Sequence, residues 1–121
     1  MNTTVLIVDD EEAYCDVLAE TLRFAGMNVH TAYTAAEALG LLKMIEPDVI
    51  LLDIMLPLID GMTLLRQLRN DPNIPPIPVV VISAHSVLEN KQAAFDAGAN
   101  GFLAKPFTAS ELEHAISEYL H

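Results

Sequence analysis

The chain has 121 residues, 52% of them hydrophobic, and six Lys plus Arg against seventeen Asp plus Glu give it a formal net charge of -11. That length suits one domain, residues 1 to 121, with a real core and a single site. The charge argues against direct nucleic-acid binding, which begins by neutralising phosphates with a basic surface. No run approaches the roughly 20 apolar residues of a membrane span.

In chain order, "TVLIV" (4 to 8) lacks polar alternation and is rich in β-branched residues, so it reads as a strand buried on both faces. Four acids, "DDEE", follow at 9 to 12, and then a helix from about 11 to 25 with Tyr14, Leu18 and Leu22 inward and Gly26 as its stop. "MNVHTA" (27 to 32) is a weaker strand. Thr34 to Glu37 matches a capping box and opens a helix whose stripe is Ala38, Leu41, Leu42 and Ile45. "DVILL" (48 to 52) is the third strand, and Gly61, Leu64, Leu65 and Leu68 mark the next helix face. The proline-rich "NDPNIPPIP" (70 to 78) reads as a rigid loop and "PVVVIS" (78 to 83) as the fourth strand. The stretch 87 to 97, opened by a Ser86 to Glu89 capping box and closed by Gly98, has the least defined apolar face. "NGFLA" (100 to 104) is the fifth strand, and a third capping box, Thr108 to Glu111, opens a helix carrying Leu112, Ala115, Ile116 and Tyr119.

Five strand-helix units imply a parallel sheet covered by helices on both faces. In such a sheet, functional groups gather outside the carboxyl ends of the strands. Asp9 and Asp10 end the first strand, Asp53 the third and Ser83 the fourth, and Lys105 follows the fifth. Two like charges about 4 Å apart repel by about 4 kcal/mol at an effective dielectric near 20, so converging carboxylates need counter-charge. Lys105 supplies part of it, and a few carboxylates with a backbone carbonyl and waters suit Mg2+. Asp9 or Asp10 taken alone reads as readily as a mere helix cap or strand end as it does as a site residue; the shared position of all five residues favours a site. Asp53, leaving the most apolar run, is the carboxylate placed to act as a nucleophile toward a phosphoryl group, with a metal and a cation neutralising the oxygens.

The ordered set "VDDEE" (8 to 12), "LLDIMLPLIDG" (51 to 61), "VVVISA" (79 to 84) and "DAGANGFLAKPF" (96 to 107) resembles the receiver domain of bacterial two-component response regulators, over residues 4 to 121. The resemblance implies a single doubly wound (βα)5 α/β domain of flavodoxin-like type, its five parallel strands ordered 2-1-3-4-5. It implies that Asp53 accepts a phosphoryl group from a phosphohistidine of a sensor kinase or phosphotransfer protein. Asp10, Asp53 and the backbone carbonyl of Met55 would hold Mg2+, with Asp9 acting through water. Ser83 and Lys105 would contact the phosphoryl oxygens, and Pro106 would follow a cis bond. Ser83 and Phe102 would form the switch that remodels the face of the fourth helix, fifth strand and fifth helix; Phe102 as plain core packing stands beside that reading.

Met55 and His85 would flank the route of the hydrolytic water, although a loop histidine without consequence fits His85 as well. A lone Cys15 reads as a small buried hydrophobe in a cytoplasmic protein. The resemblance makes the chain a phosphoacceptor rather than an enzyme in its own right, with a downstream effector protein, a missing C-terminal effector domain or a phosphorylation-dependent homodimer as its output. The ending at His121 leaves both a stand-alone receiver and one cut from a longer protein. An interaction module working without phosphorylation is the alternative, and the intact set of five residues speaks against it. A nucleotide- or flavin-binding relative would need a phosphate loop where "DDEE" stands.

Overall fold

A computed structural model describes residues 3–54, 60–83 and 88–119, the side chains of 88–90 excepted. Strands β1 (Thr4–Val8), β2 (Asn28–Ala32), β3 (Val49–Asp53), β4 (Val79–Ser83) and β5 (Gly101–Ala104) alternate with helices α1 (Glu12–Phe24), α2 (Ala35–Leu41), α3 (Gly61–Asn70), α4 (Leu88–Asp96) and α5 (Ala109–Ser117). All strand pairs are parallel, in the order β2-β1-β3-β4-β5.

The apolar runs lack alternation because both faces of the sheet are covered. Leu6, Val8, Ile50, Leu52, Val79 and Val81 face α2, α3 and α4, packing with Ala38, Leu64, Leu65, Leu68 and Ala94. The intervening Val5, Ile7, Val49, Leu51, Val80 and Ile82 face α1 and α5, packing with Cys15, Leu18, Leu22, Leu112 and Ile116. Successive strand residues thus serve opposite cores, as a period of two requires. Every residue of β3 and β4 is buried, which fixes their register tightly.

Helix ends follow the sequence signals with two differences. Thr108 and Glu111 form a full capping box at α5. At α2 the Thr34 oxygen accepts the Glu37 N–H at 3.1 Å, but the Glu37 carboxylate takes the N–H of Tyr33 instead of Thr34. That helix also stops at Leu41, short of the expected Ile45, with Gly40, a poor helix former, in its last turn. Gly26 and Gly98 adopt φ of 93° and 113°. Each closes a Schellman turn, with Met27 N–H on Leu22 carbonyl at 3.0 Å and Ala99 N–H on Ala94 carbonyl at 2.9 Å. Ser86 of the expected Ser86 to Glu89 capping box lies outside the described residues.

Candidate acidic site

The register brings the strand ends level. Val8 pairs with Leu52, Asp53 with Ile82 and Ser83 with Ala104, so Asp9, Asp53, Ser83 and Lys105 emerge at one edge. The ladder continues just past them, with Asp9 N–H on Ala32 carbonyl at 3.0 Å and Lys105 N–H on Ser83 carbonyl at 2.7 Å. The site is therefore anchored by main chain on both sides.

Asp9 and Asp53 are buried, at 0% and 3% exposure, while Asp10 faces solvent. One oxygen from each of the three carboxylates can be chosen so that all lie within 4.8 Å of one another. Ser83 is buried beside them at the end of β4. The Lys105 ammonium stands 3.2 Å from Asp9, 3.4 Å from Asp53 and 3.6 Å from Glu11. The Lys105–Pro106 peptide is cis, as expected.

Charge and burial oppose each other here. Burial pushes the Asp9 carboxyl up to about 6; the neighbouring Asp53 adds to this, while the Glu11 N–H at 3.0 Å and Lys105 act against it. For Lys105 burial works to lower the pKa, but Asp53 and Asp9 outweigh it and hold the ammonium above the ordinary lysine range. The lysine thus gains from the pair while desolvation of Asp9 exceeds the ammonium's pull. Among the described residues, one ammonium faces a cluster of three carboxylates. Hard oxygen donors, two buried and one open to water, are a set that a small divalent cation with retained waters accepts.

Three residues went unread or misread in the sequence. Glu11, given no role of its own within "DDEE", is the N-cap residue of α1 and stands 3.6 Å from Lys105, while Glu12 occupies the first turn. Tyr14, taken only as an inward residue, places its ring under Lys105, with the ammonium 4.2 Å from the ring centroid. Gly61, taken as a stripe position, brings α3 hard against the end of β3: a Cβ there would lie 2.5 Å from the Asp53 carbonyl oxygen. Met55 and His85 lie outside the described residues. Phe102 is half-buried; it packs against the core shared with α3 and α4 and also lines an open cavity of about 390 Å3 with Phe95, His114 and Tyr119. Cys15 is fully buried and burial pushes its thiol up to about 12, which fits packing and not reactivity.

Comparison with known proteins agrees with this geometry. The family profile described as "Response regulator receiver domain" matches residues 5–117. The DNA-binding dual master transcriptional regulator RpaA of Synechocystis is 37% identical over 108 residues, which is 89% of this chain and 45% of that protein. The response regulator MprA of Mycobacterium bovis is 37% identical over 112 residues, 93% of this chain and 48% of its own length. The chain thus spans about half the length of these curated relatives. The chemotaxis response regulator CheY4 of Vibrio cholerae superposes with a TM-score of 0.91 at 29% identity, covering 99% of this chain and 100% of that one.

Proposed function

Because the chain belongs to the response regulator receiver domain family of two-component systems, we propose that Asp53 accepts a phosphoryl group from a phosphohistidine and that the acyl phosphate controls partner binding. The observation carrying this reading is the placement of Asp53. Its carboxylate ends a wholly buried strand, shares a cluster with Asp9 and Asp10, and has an ammonium 3.4 Å away.

One Asp53 oxygen attacks phosphorus in line with the P–N bond. The new O–P bond forms as the P–N electron pair returns to the imidazole, which takes up a proton. Little covalent chemistry is asked of the protein, so positioning and charge stabilisation carry the rate. Asp10, Asp53 and the Met55 carbonyl would hold Mg2+, with Asp9 acting through water, and the bound ion would supply charge neutralisation of the phosphoryl oxygens. Lys105 pairs with one of those oxygens and the Ser83 hydroxyl donates to another. Glu11, largely exposed, adds little beyond a weak surface attraction.

The donor is a sensor histidine kinase or a histidine phosphotransfer protein in the cytoplasm. Output runs through the face of α4, β5 and α5, where Phe102 adjusts as Ser83 is drawn to the phosphoryl group. The recipient is a downstream protein, a second copy of the chain, or a C-terminal effector region.

The test is incubation with a small-molecule phosphodonor and Mg2+, read by intact mass. One phosphoryl adduct is expected on the native chain, none on Asp53→Asn and none after chelation of Mg2+. An unmodified native chain, under conditions where a control receiver reacts, returns the protein to the class of phosphorylation-independent interaction modules.

A further inference from the structure

The Lys105 ammonium has three carboxylates near it, those of Asp9, Asp53 and the largely exposed Glu11, and one group that carries no charge. That group is Tyr14, whose ring centroid lies 4.2 Å from the ammonium. The ring is itself braced: Phe107 meets it edge to face, with centroids 6.1 Å apart and planes at 79°. Behind it, Cys15 and Leu18 root this turn of α1 in the core. Lys105 and Phe107 flank Pro106 in one loop, so a single side chain of α1 grips the β5–α5 loop at both positions.

We propose that Tyr14 is the positioning residue for Lys105: an uncharged aromatic platform that keeps the ammonium aimed at Asp53. This rests on the phosphoacceptor reading above. A lysine stem is flexible, and its charge alone does not choose among nearby carboxylates. Asp9 and Asp53 also belong to the cluster fitted to a divalent cation, and a carboxylate neutralised by such a cation loosens its hold on Lys105. The quadrupole of the Tyr14 ring attracts the ammonium without offering a ligand that would draw the cation away. A carboxylate in the same place would hold the lysine but would compete for the metal. The ring therefore holds Lys105 in a way that does not depend on the state of the cluster.

The test compares native protein, Tyr14→Phe and Tyr14→Leu by two readouts. The first is the rate of adduct formation from a small-molecule phosphodonor with Mg2+. The second, made with and without Mg2+, is the proton shift of the lysine ε-methylenes in isotope-labelled protein, where Lys43, Lys91 and Lys105 are the sole contributors. The Phe variant, which keeps the ring face, should stay within about twofold of native in rate. The Leu variant keeps apolar bulk but has no quadrupole; it should react roughly fivefold more slowly, about 1 kcal/mol at 1.36 kcal/mol per tenfold. Native and Phe proteins should show one lysine signal moved upfield by the ring, and the Leu variant should lose it. A Leu variant matching native in rate, or a Phe variant as slow as Leu, overturns the proposal. If Tyr14→Leu does not fold, the native spectrum decides: three lysine signals at ordinary positions overturn it, and an upfield signal that Tyr14→Phe retains supports it. A native chain that takes no phosphoryl group sinks the functional reading, and the lysine spectra still decide whether the platform exists.

Discussion

Gly61 sets the position of Asp53 through what it lacks. A methyl group at residue 61 would meet the Asp53 carbonyl oxygen and the Ile54 Cα, both at 2.5 Å, and main chain cannot rotate away as a side chain can. Gly61→Ala should therefore cost about 1–3 kcal/mol in urea unfolding, the usual penalty for overpacking, and should slow adduct formation at Asp53 as well. A variant with native stability and native rate would refute this account of Gly61. The contrast with the charged residues shows what a sequence displays. Asp9, Asp10, Asp53, Ser83 and Lys105 stood out because each interrupts or follows an apolar run at the same end, and the topology then does the rest. Gly61 stood on the helix stripe and closed the stretch "LLDIMLPLIDG" that carries the resemblance, but its close approach to Asp53 was not legible, since its neighbour across the gap is backbone and leaves no mark in residue type. Tyr14 and Glu11 were equally silent, because their contacts depend on how α1 passes the β5–α5 loop.

At the scale of elements, the start of α3 carries a cap that periodicity does not reveal. The Asp60 carboxylate accepts the Thr63 N–H at 2.7 Å, and this bond foremost holds its pKa below the ordinary 3.8. A lowered carboxyl pKa means that the charged cap stabilises the fold above the unfolded value and that this contribution fades as pH falls through the lower folded value. Asp60→Ala should lose about 1 kcal/mol near neutral pH, and the gap from native should shrink below 3.8, measured by urea unfolding at several pH values. A gap constant with pH would mean that charge plays no part in the cap. The strands were legible to within one residue at their starts, because burial on both faces leaves an unbroken apolar run. The length of α2 was not: the stripe continues to Ile45, but Gly40 and the approach of Pro47 end the regular helix first. Nor did the weak pattern of α4 disclose that Ala94 packs it on the sheet while Phe95, 39% exposed, faces the cavity beside Phe102.

Across the whole molecule, the edge opposite the carboxylates is tied by Arg69 of α3. Its guanidinium donates to the Gly98 carbonyl at 3.0 Å, the Ile77 carbonyl at 2.7 Å and the Asn100 side-chain oxygen at 2.8 Å. Asn100 extends the knot, accepting the Val79 N–H on its side chain at 2.9 Å and the Tyr119 hydroxyl on its carbonyl at 2.6 Å. One residue thus joins the end of α3, the approaches to β4 and β5, and through Asn100 the end of α5. Arg69→Met keeps much of the stem but leaves half-buried carbonyls without their donor, and should cost about 2–4 kcal/mol in urea unfolding. Because this knot lies at the far edge of the sheet, the folded variant should still take one phosphoryl group at close to the native rate; loss of both together would tie the two edges more tightly than the contacts imply.

The ion pair between Lys105 and Asp9 joins residues 96 apart in the chain. Asp9 belongs to the first strand and Lys105 follows the last, so the half-made polypeptide leaving a ribosome holds its acids long before it holds their ammonium. A chain lacking β5 has neither Lys105 nor the loop whose Phe107 meets the Tyr14 ring, and closing a contact over this separation carries the loop entropy of non-local pairing. The charge balance of the acidic cluster is in this sense a property of the whole domain: no fragment that stops before β5 contains both halves of the pair.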